Sequence, residues 1–317
     1  MIITWWSILC FTEMEVAMSK TFKGIHVPTI TPYTPDGDVS EELIRYLIDF
    51  YIDAGVCCIV PTADNGEQPF LTVEERKRIW TTTIESAANR VCVAASITGN
   101  TTKEVVQLAK LAESLGSDGV MLAPPYYFEA SEDELYEHYS TVAESINIPL
   151  IIHNEPSVFK SDIRPEFVAK LNKVENISLI KECTEDTQRI HEIIRLCGDN
   201  MTVIVAGGGT ALESFLLGAR AWMTGLVNFA PQASVAMYRL AAQERRFDDA
   251  RKIYFDTILP IYSCIKTIGK PVPTVKYALS LVLGRSVGLA RRPLHPLTES
   301  EKGMVKDVLL KTGIIAG

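Results

Sequence analysis

Lys181 lies near the end of the apolar run ISLIKEC (177–183), among neighbours that solvate an ammonium poorly. Such confinement disfavours the charged form. It predicts a lowered pKa and a free amine able to attack a ketone and form a Schiff base. The structural alternative is a strand ending in a Lys whose stem carries its charge to solvent. His153 closes another apolar run, PLIIHN (149–154), 28 residues earlier. Its imidazole gives and takes protons near neutrality, as carbinolamine formation and dehydration require. The run CCIVPT (57–62) breaks into ADNGEQPFLT, which gathers Asp64, Asn65 and Glu67 around Gly66. Asp64 would fix the tautomer of His153 if it lies within hydrogen-bond reach, although a DNG string is by itself a turn signal. Tyr126 and Tyr127 of the PPYY string supply two phenols, for proton relay or for packing at a subunit contact. In AGGGT, Gly207, Gly208 and Gly209 form either a tight turn or a set of backbone amides for a carboxylate or phosphate.

These residues need a frame that brings distant segments to one rim. From residue 24, short β-rich runs alternate with segments of helical period, the pattern of a parallel sheet with crossover helices. The candidate strands are GIHVPTIT (24–31), CCIVPT (57–62), VCVAASI (91–97), GVMLAPP (119–125), PLIIHN (149–154), ISLIKEC (177–183), TVIVAGG (202–208) and AWMTGLV (221–227). Amphipathic segments such as EELIRYLIDFYIDAG and KEVVQLAKLAESLG separate them, several opened by Ser, Thr or Asp caps and closed by Gly. Eight such units predict an α/β fold, a (β/α)8 TIM barrel, and no GxGxxG follows the first strand to favour a doubly wound sheet. In such a barrel the chemistry gathers at the C-terminal strand ends, which puts Lys181 and His153 on neighbouring strands at the mouth. The expected organisation is an N-terminal extension over 1–20, the barrel over 21–245, and a C-terminal bundle of three helices over 246–317.

The net charge of -8 and a pI near 5.3 leave no basic footprint for nucleic acid. Seven cysteines without a CxxC pair read as reduced thiols, which suits a cytoplasmic protein. Five scattered histidines form no HxxxH or HExxH pair, so neither a metal site nor a cofactor is expected. The leading MIITWWSILCFT is too short to span a bilayer and lacks a basic n-region; the expected natural start is Met18, and no membrane partner is implied.

Taken together, Gly66-Glu67, PPYY, HNEP, IKEC with Lys181, and PTVK resemble, in order and spacing, the dihydrodipicolinate synthase and N-acetylneuraminate lyase superfamily of class I aldolases. The resemblance implies that Lys181 is the Schiff-base nucleophile, with pyruvate or another 2-oxo acid as its partner. It also implies a carboxylate-binding rim, an activated tyrosine placed at Tyr127, and a homo-oligomer, commonly a tetramer, in which a tyrosine of the pair reaches the neighbouring site. Three departures stand out. The superfamily's GTTGE reads ADNGE, so Asp64 and Asn65 replace two threonines, leaving Asn65 and the Gly66 amide as carboxylate donors. YNxPxRT reads HNEPSVF, so His153 replaces a tyrosine. Val158 replaces the arginine with which dihydrodipicolinate synthases hold an aldehyde's carboxylate. The chain is thus expected to be an atypical member that does not make the lysine precursor. PSVFKSD resembles a segment of hydratase-aldolases acting on benzylidenepyruvates, and Thr224 and Asn228 lie at or beyond strand eight as further substrate contacts.

The leading expectation is a lyase that makes or cleaves a C–C bond beside a Lys181 imine, with His153, Asp64 and Tyr127 as proton-handling partners. Tyr126, Asn65, Gly66, Gly207, Thr224 and Asn228 are the expected substrate contacts. The alternatives are a dehydratase or deaminase of a hydroxylated 2-oxo acid, and a non-catalytic small-molecule binding barrel.

Overall fold

The computed structural model describes residues 20–316, so most of the expected N-terminal extension lies outside the described residues. Eight parallel strands close into a barrel in chain order. They are β1 (Gly24–Pro28), β2 (Cys58–Val60), β3 (Cys92–Ser96), β4 (Gly119–Leu122), β5 (Leu150–Asn154), β6 (Ile177–Glu182), β7 (Thr202–Ala206) and β8 (Ala221–Met223). All eight expected strands are present, and several stop short of their apolar runs. The truncated ends carry residues such as Pro61, Gly207 and Gly225, where the chain leaves the ladder to build the mouth. After β8 the expected strand continuation is a 3-10 turn, Gly225–Asn228.

The helices start where the sequence marks them. Thr72, Ser131 and Thr298 each accept from the backbone N–H three residues on, and Glu75, Glu134 and Glu301 bond back to complete capping boxes. Strand alternation sorts side chains into two cores. Cys58, Val60, Met121, Ile151, Leu179 and Ile204 fill the barrel interior, and the larger core lies between the strands and the surrounding helices. Ile151 and Leu179 face inward, so His153 and Lys181, two residues further along each strand, face inward above them.

Beyond the barrel, one helical stretch runs from Phe247 to Ile268, followed by helices Pro271–Leu283 and Glu299–Lys311. The first contains a π-turn, Tyr254–Ile258, which ends two residues before Pro260. A proline in that place removes one amide donor and crowds the carbonyl four residues earlier, and the wider turn accommodates both effects. This helix and its successor pack beside the barrel mouth, where Tyr262, Ile265, Val272 and Val275 line a cavity of ≈ 690 Å³ that also reaches Lys181. Among the described residues, no helix is long and apolar enough to cross a membrane.

Candidate active site

His153 and Lys181 are direct register partners across β5 and β6. Parallel pairing of inward-facing residues brings Lys181 Nζ to 2.8 Å from His153 Nε2. Asp64, in a 3-10 turn after β2, accepts from the same ammonium through Oδ2 at 3.0 Å. Glu155, just beyond the end of β5, places Oε2 3.0 Å from His153 Nε2 and 3.8 Å from Lys181 Nζ. Lys181 and His153 are buried, whereas the Asp64 and Glu155 side chains retain 43% and 25% exposure to the cavity. The site is a buried amine and imidazole beneath two carboxylates that line the opening.

This arrangement overturns the expected direction of the Lys181 pKa. Burial alone pulls it down, but the charges of Asp64 and Glu155 and the Asp64 hydrogen bond prevail and hold it well above the ordinary lysine value. The amine is therefore stored as an ammonium and must lose a proton before it can attack. Burial alone would likewise raise Glu155, yet its contact with His153 and the nearby Lys181 charge bring it down to about 2. Asp64 also departs from its expected role. Its Oδ2 is 3.6 Å from His153 Nε2, outside good hydrogen-bond range, so it serves the ammonium rather than the imidazole.

The 64–66 turn is held by its flanks. Thr62 and Glu67 both adopt positive φ, a conformation that costs a non-glycine residue about 1–3 kcal/mol. Thr62 is fixed by donating to Ser96 O and accepting from Trp80 Nε1. Glu67 turns away from the rim and is buried, paired with Lys276 at 2.6 Å and accepting from the Arg291 amide at 2.6 Å.

The other expected contacts divide. Asn65, Gly207 and Thr224 line the cavity with Lys181. Gly66 is buried, its amide engaged by Ala63 O and its carbonyl by Thr31, so it is not a free donor. Asn228 is fully buried and bonds Pro28, Gly225, Ile30 and Tyr51, which makes it an internal tie rather than a substrate contact. Tyr126 and Tyr127 do not line the Lys181 cavity of their own chain. Tyr127 is 69% exposed and borders a separate cleft with Phe128 and His138. At the glycine turn after β7, the place expected for a substrate carboxylate is taken by Glu185, which is within bonding range of Gly209 and is held by Tyr262 and Lys266. Val158 is exposed and outside the cavity.

Glu155 was not singled out from the sequence. Its signal was the spacing H-N-E at a strand end, since period two places the third residue on the same side as the first. Tyr262 and Lys266 had no local signal, because a helix beyond the eighth unit brings them over the mouth. His153, Glu155 and Cys183 converge with donor atoms within 4.8 Å of one another. The Lys181 ammonium in the same pocket repels a dication, and we assign no metal there.

The dihydrodipicolinate synthetase family matches residues 21–312. The chain belongs to that family. A 4-hydroxy-tetrahydrodipicolinate synthase of Syntrophus aciditrophicus (strain SB) is 35% identical over 93% of this chain and 99% of its own length. The dihydrodipicolinate synthase of Acinetobacter baumannii, solved with pyruvate, is 30% identical with a TM-score of 0.88, covering 93% of this chain and all of that one. A prophage protein of the dihydrodipicolinic acid synthase family from E. coli K12, also solved with pyruvate, is 28% identical with a TM-score of 0.88, covering 93% and 99%. Membership of the dihydrodipicolinate synthetase family makes this chain an enzyme, a lyase of the aldolase type.

Proposed function

We propose that this enzyme forms a Schiff base between Lys181 and pyruvate or a related 2-oxo acid, and makes or cleaves the C–C bond at the adjacent carbon. The observation that carries this reading is the buried Lys181 amine, in contact with His153 and Asp64 and open to the ≈ 690 Å³ cavity. The neutral amine attacks the ketone carbon, the carbonyl pair moves to oxygen, and water leaves from the carbinolamine to give the imine. Loss of a C3 proton sends its bond pair towards the imine nitrogen. The resulting enamine attacks an aldehyde carbon, and the reverse sequence cleaves. His153 is the proton shuttle, since it is the base nearest the reacting nitrogen.

The acceptor is expected to differ from that of a dihydrodipicolinate synthase. Val158 offers no cation for an aldehyde's carboxylate. Lys266, another cation lining the cavity, is paired with Glu185 at 2.8 Å. With Pro156, Ile265, Val272 and Val275 on the walls, an aldehyde without a carboxylate fits best. A homo-oligomer in which Tyr127 reaches a second copy is consistent with its exposure.

Incubation with pyruvate and borohydride should leave a reduced adduct on Lys181, absent in Lys181→Ala. A wild-type protein unlabelled at saturating pyruvate and at every 2-oxo acid tested would sink the proposal. The two carboxylates beside the amine also favour a second reading, in which the same imine drives loss of water or ammonia from a hydroxylated 2-oxo acid. Release of water or ammonia without pyruvate or aldehyde would select it.

A further inference from the structure

Lys181, His153 and Glu155 share one nitrogen in a way that constrains their protons. His153 Nε2 faces Lys181 Nζ at 2.8 Å and Glu155 Oε2 at 3.0 Å, yet it can carry only one hydrogen. When Nε2 is bare, it accepts from the Lys181 ammonium, and the Glu155 carboxylate faces a lone pair. When Nε2 is protonated, it donates to Glu155, and Lys181 is left as the neutral amine. The second arrangement holds the amine that attacks, and Glu155 is the group whose geometry rewards it. Asp64 cannot substitute, because its Oδ2 is closer to Nζ than to Nε2, 3.0 Å against 3.6 Å, and so favours the ammonium.

We propose that Glu155 is a positioning residue that acts through His153, driving the proton of the Lys181 ammonium onto Nε2 and stabilising the resulting imidazolium. The proton moves from Nζ to Nε2 as the N–H pair remains on the amine; Glu155 stays a carboxylate throughout. The imidazolium then returns that proton to the carbinolamine hydroxyl, which departs as water, and the emptied Nε2 can take the C3 proton as the enamine forms. Both carboxylates favour the Lys181 charge, but only Glu155 also bonds Nε2, so it alone stabilises the proton after it has moved to the imidazole. Local backbone fixes Glu155 for this task. It immediately precedes Pro156 and the short turn Pro156–Phe159, whose amides at Val158 and Phe159 bond its carbonyl, and Phe159 packs edge-on against the His153 ring at a centroid distance of 5.1 Å.

The inference rests on the Schiff-base reading, and its test separates the two. Exchange of the pyruvate C3 protons in D2O, followed by proton NMR without any acceptor, reports enamine formation; borohydride trapping reports the imine. Glu155→Gln keeps size and hydrogen bonding but removes the charge. It should lower the C3 exchange rate by about 100-fold while a Lys181 adduct still accumulates on long incubation with pyruvate. Glu155→Asp should recover part of the loss. His153→Phe should lose at least as much as Glu155→Gln, and the double variant Glu155→Gln/His153→Phe should be no slower than His153→Phe alone. Exchange in Glu155→Gln within threefold of wild type would overturn the relay, as would a further large loss in the double variant, which would make Glu155 an independent base. Circular dichroism and melting of each variant identify a misfolded chain, and Glu155→Asp then carries the comparison. Absence of both adduct and exchange in the wild-type enzyme would instead overturn the Schiff-base reading itself.

Discussion

Two lysine–carboxylate pairs in this enzyme start from loop residues three apart and end in opposite states. Lys181 pairs with Asp64 at 3.0 Å at the floor of an open cavity, and Lys276 pairs at 2.6 Å with Glu67, whose carboxylate is fully buried where that of Asp64 is 43% exposed. Burial pulls both pKa values down. Around Lys181 two carboxylates outweigh it and the value rises. Around Lys276, Glu67 is opposed by the Arg291 charge, burial prevails, and the value falls to about 8. Lys276 lies 4.0 Å above the Tyr33 ring, with the Arg291 guanidinium 4.6 Å from the same ring. The difference teaches that a buried lysine's charge is decided by the count and sign of its neighbours, and that access decides whether that charge can be used. The buried pair holds the rim loop against the helix Pro271–Leu283; the pair with an exposed carboxylate lines the cavity.

Exchanging the two lysines' fates is the strongest way to break this contrast. Lys181→Met should abolish turnover, by on the order of 10⁴-fold or more, while urea unfolding moves by less than about 1 kcal/mol, because Asp64 and Glu155 keep contact with the cavity. Lys276→Met should do the reverse. It strands Glu67 without its partner, with a loss of about 3–5 kcal/mol, and the Glu67→Gln/Lys276→Met double variant should recover most of it. Equal loss of activity and stability in both single variants would erase the distinction.

Asp64→Asn sharpens the electrostatic half. Asp64 is the nearer of the two carboxylates that raise Lys181, so its neutralisation should let burial act. The pH dependence of adduct formation should then move to lower pH by roughly one unit, with faster trapping at neutrality. An unmoved profile would remove Asp64 from its role as counterion.

A further contrast compares histidines. His153 has carboxylates in reach, whereas His26 contacts the Phe22 carbonyl and His138 the Thr102 hydroxyl. Burial lowers both of the latter to about 4 from 6.5. The unfolded chain therefore binds protons that the folded chain refuses between those values. Stability from these sites is complete above pH 6.5 and declines as pH falls towards 4, by up to about 3 kcal/mol for each histidine. His138→Gln should flatten the dependence of melting temperature on pH in that window; an unchanged slope would contradict it.

The barrel was legible because alternating apolar runs, capping boxes and Gly stops repeat eight times, and each is a local signal. Lys181 and His153 were legible by the same logic, since both close strands one unit apart. Their charges were not. The prediction of a lowered Lys181 pKa used only neighbours in sequence, whereas the deciding anions are Asp64, 117 residues away, and Glu155 beyond the adjacent strand. Asn228 and Gly66 looked like ligands because polarity and loop position are local, while their engagement by Pro28 and Ile30 and by Thr31, respectively, is not. Sequence alone determined the repeated unit, the family and the lysine at the strand end, because periodicity and motif order are written along the chain. Only the tertiary structure decided which carboxylate faces which nitrogen, because barrel closure sets those distances and electrostatic effects fall off over a few ångströms.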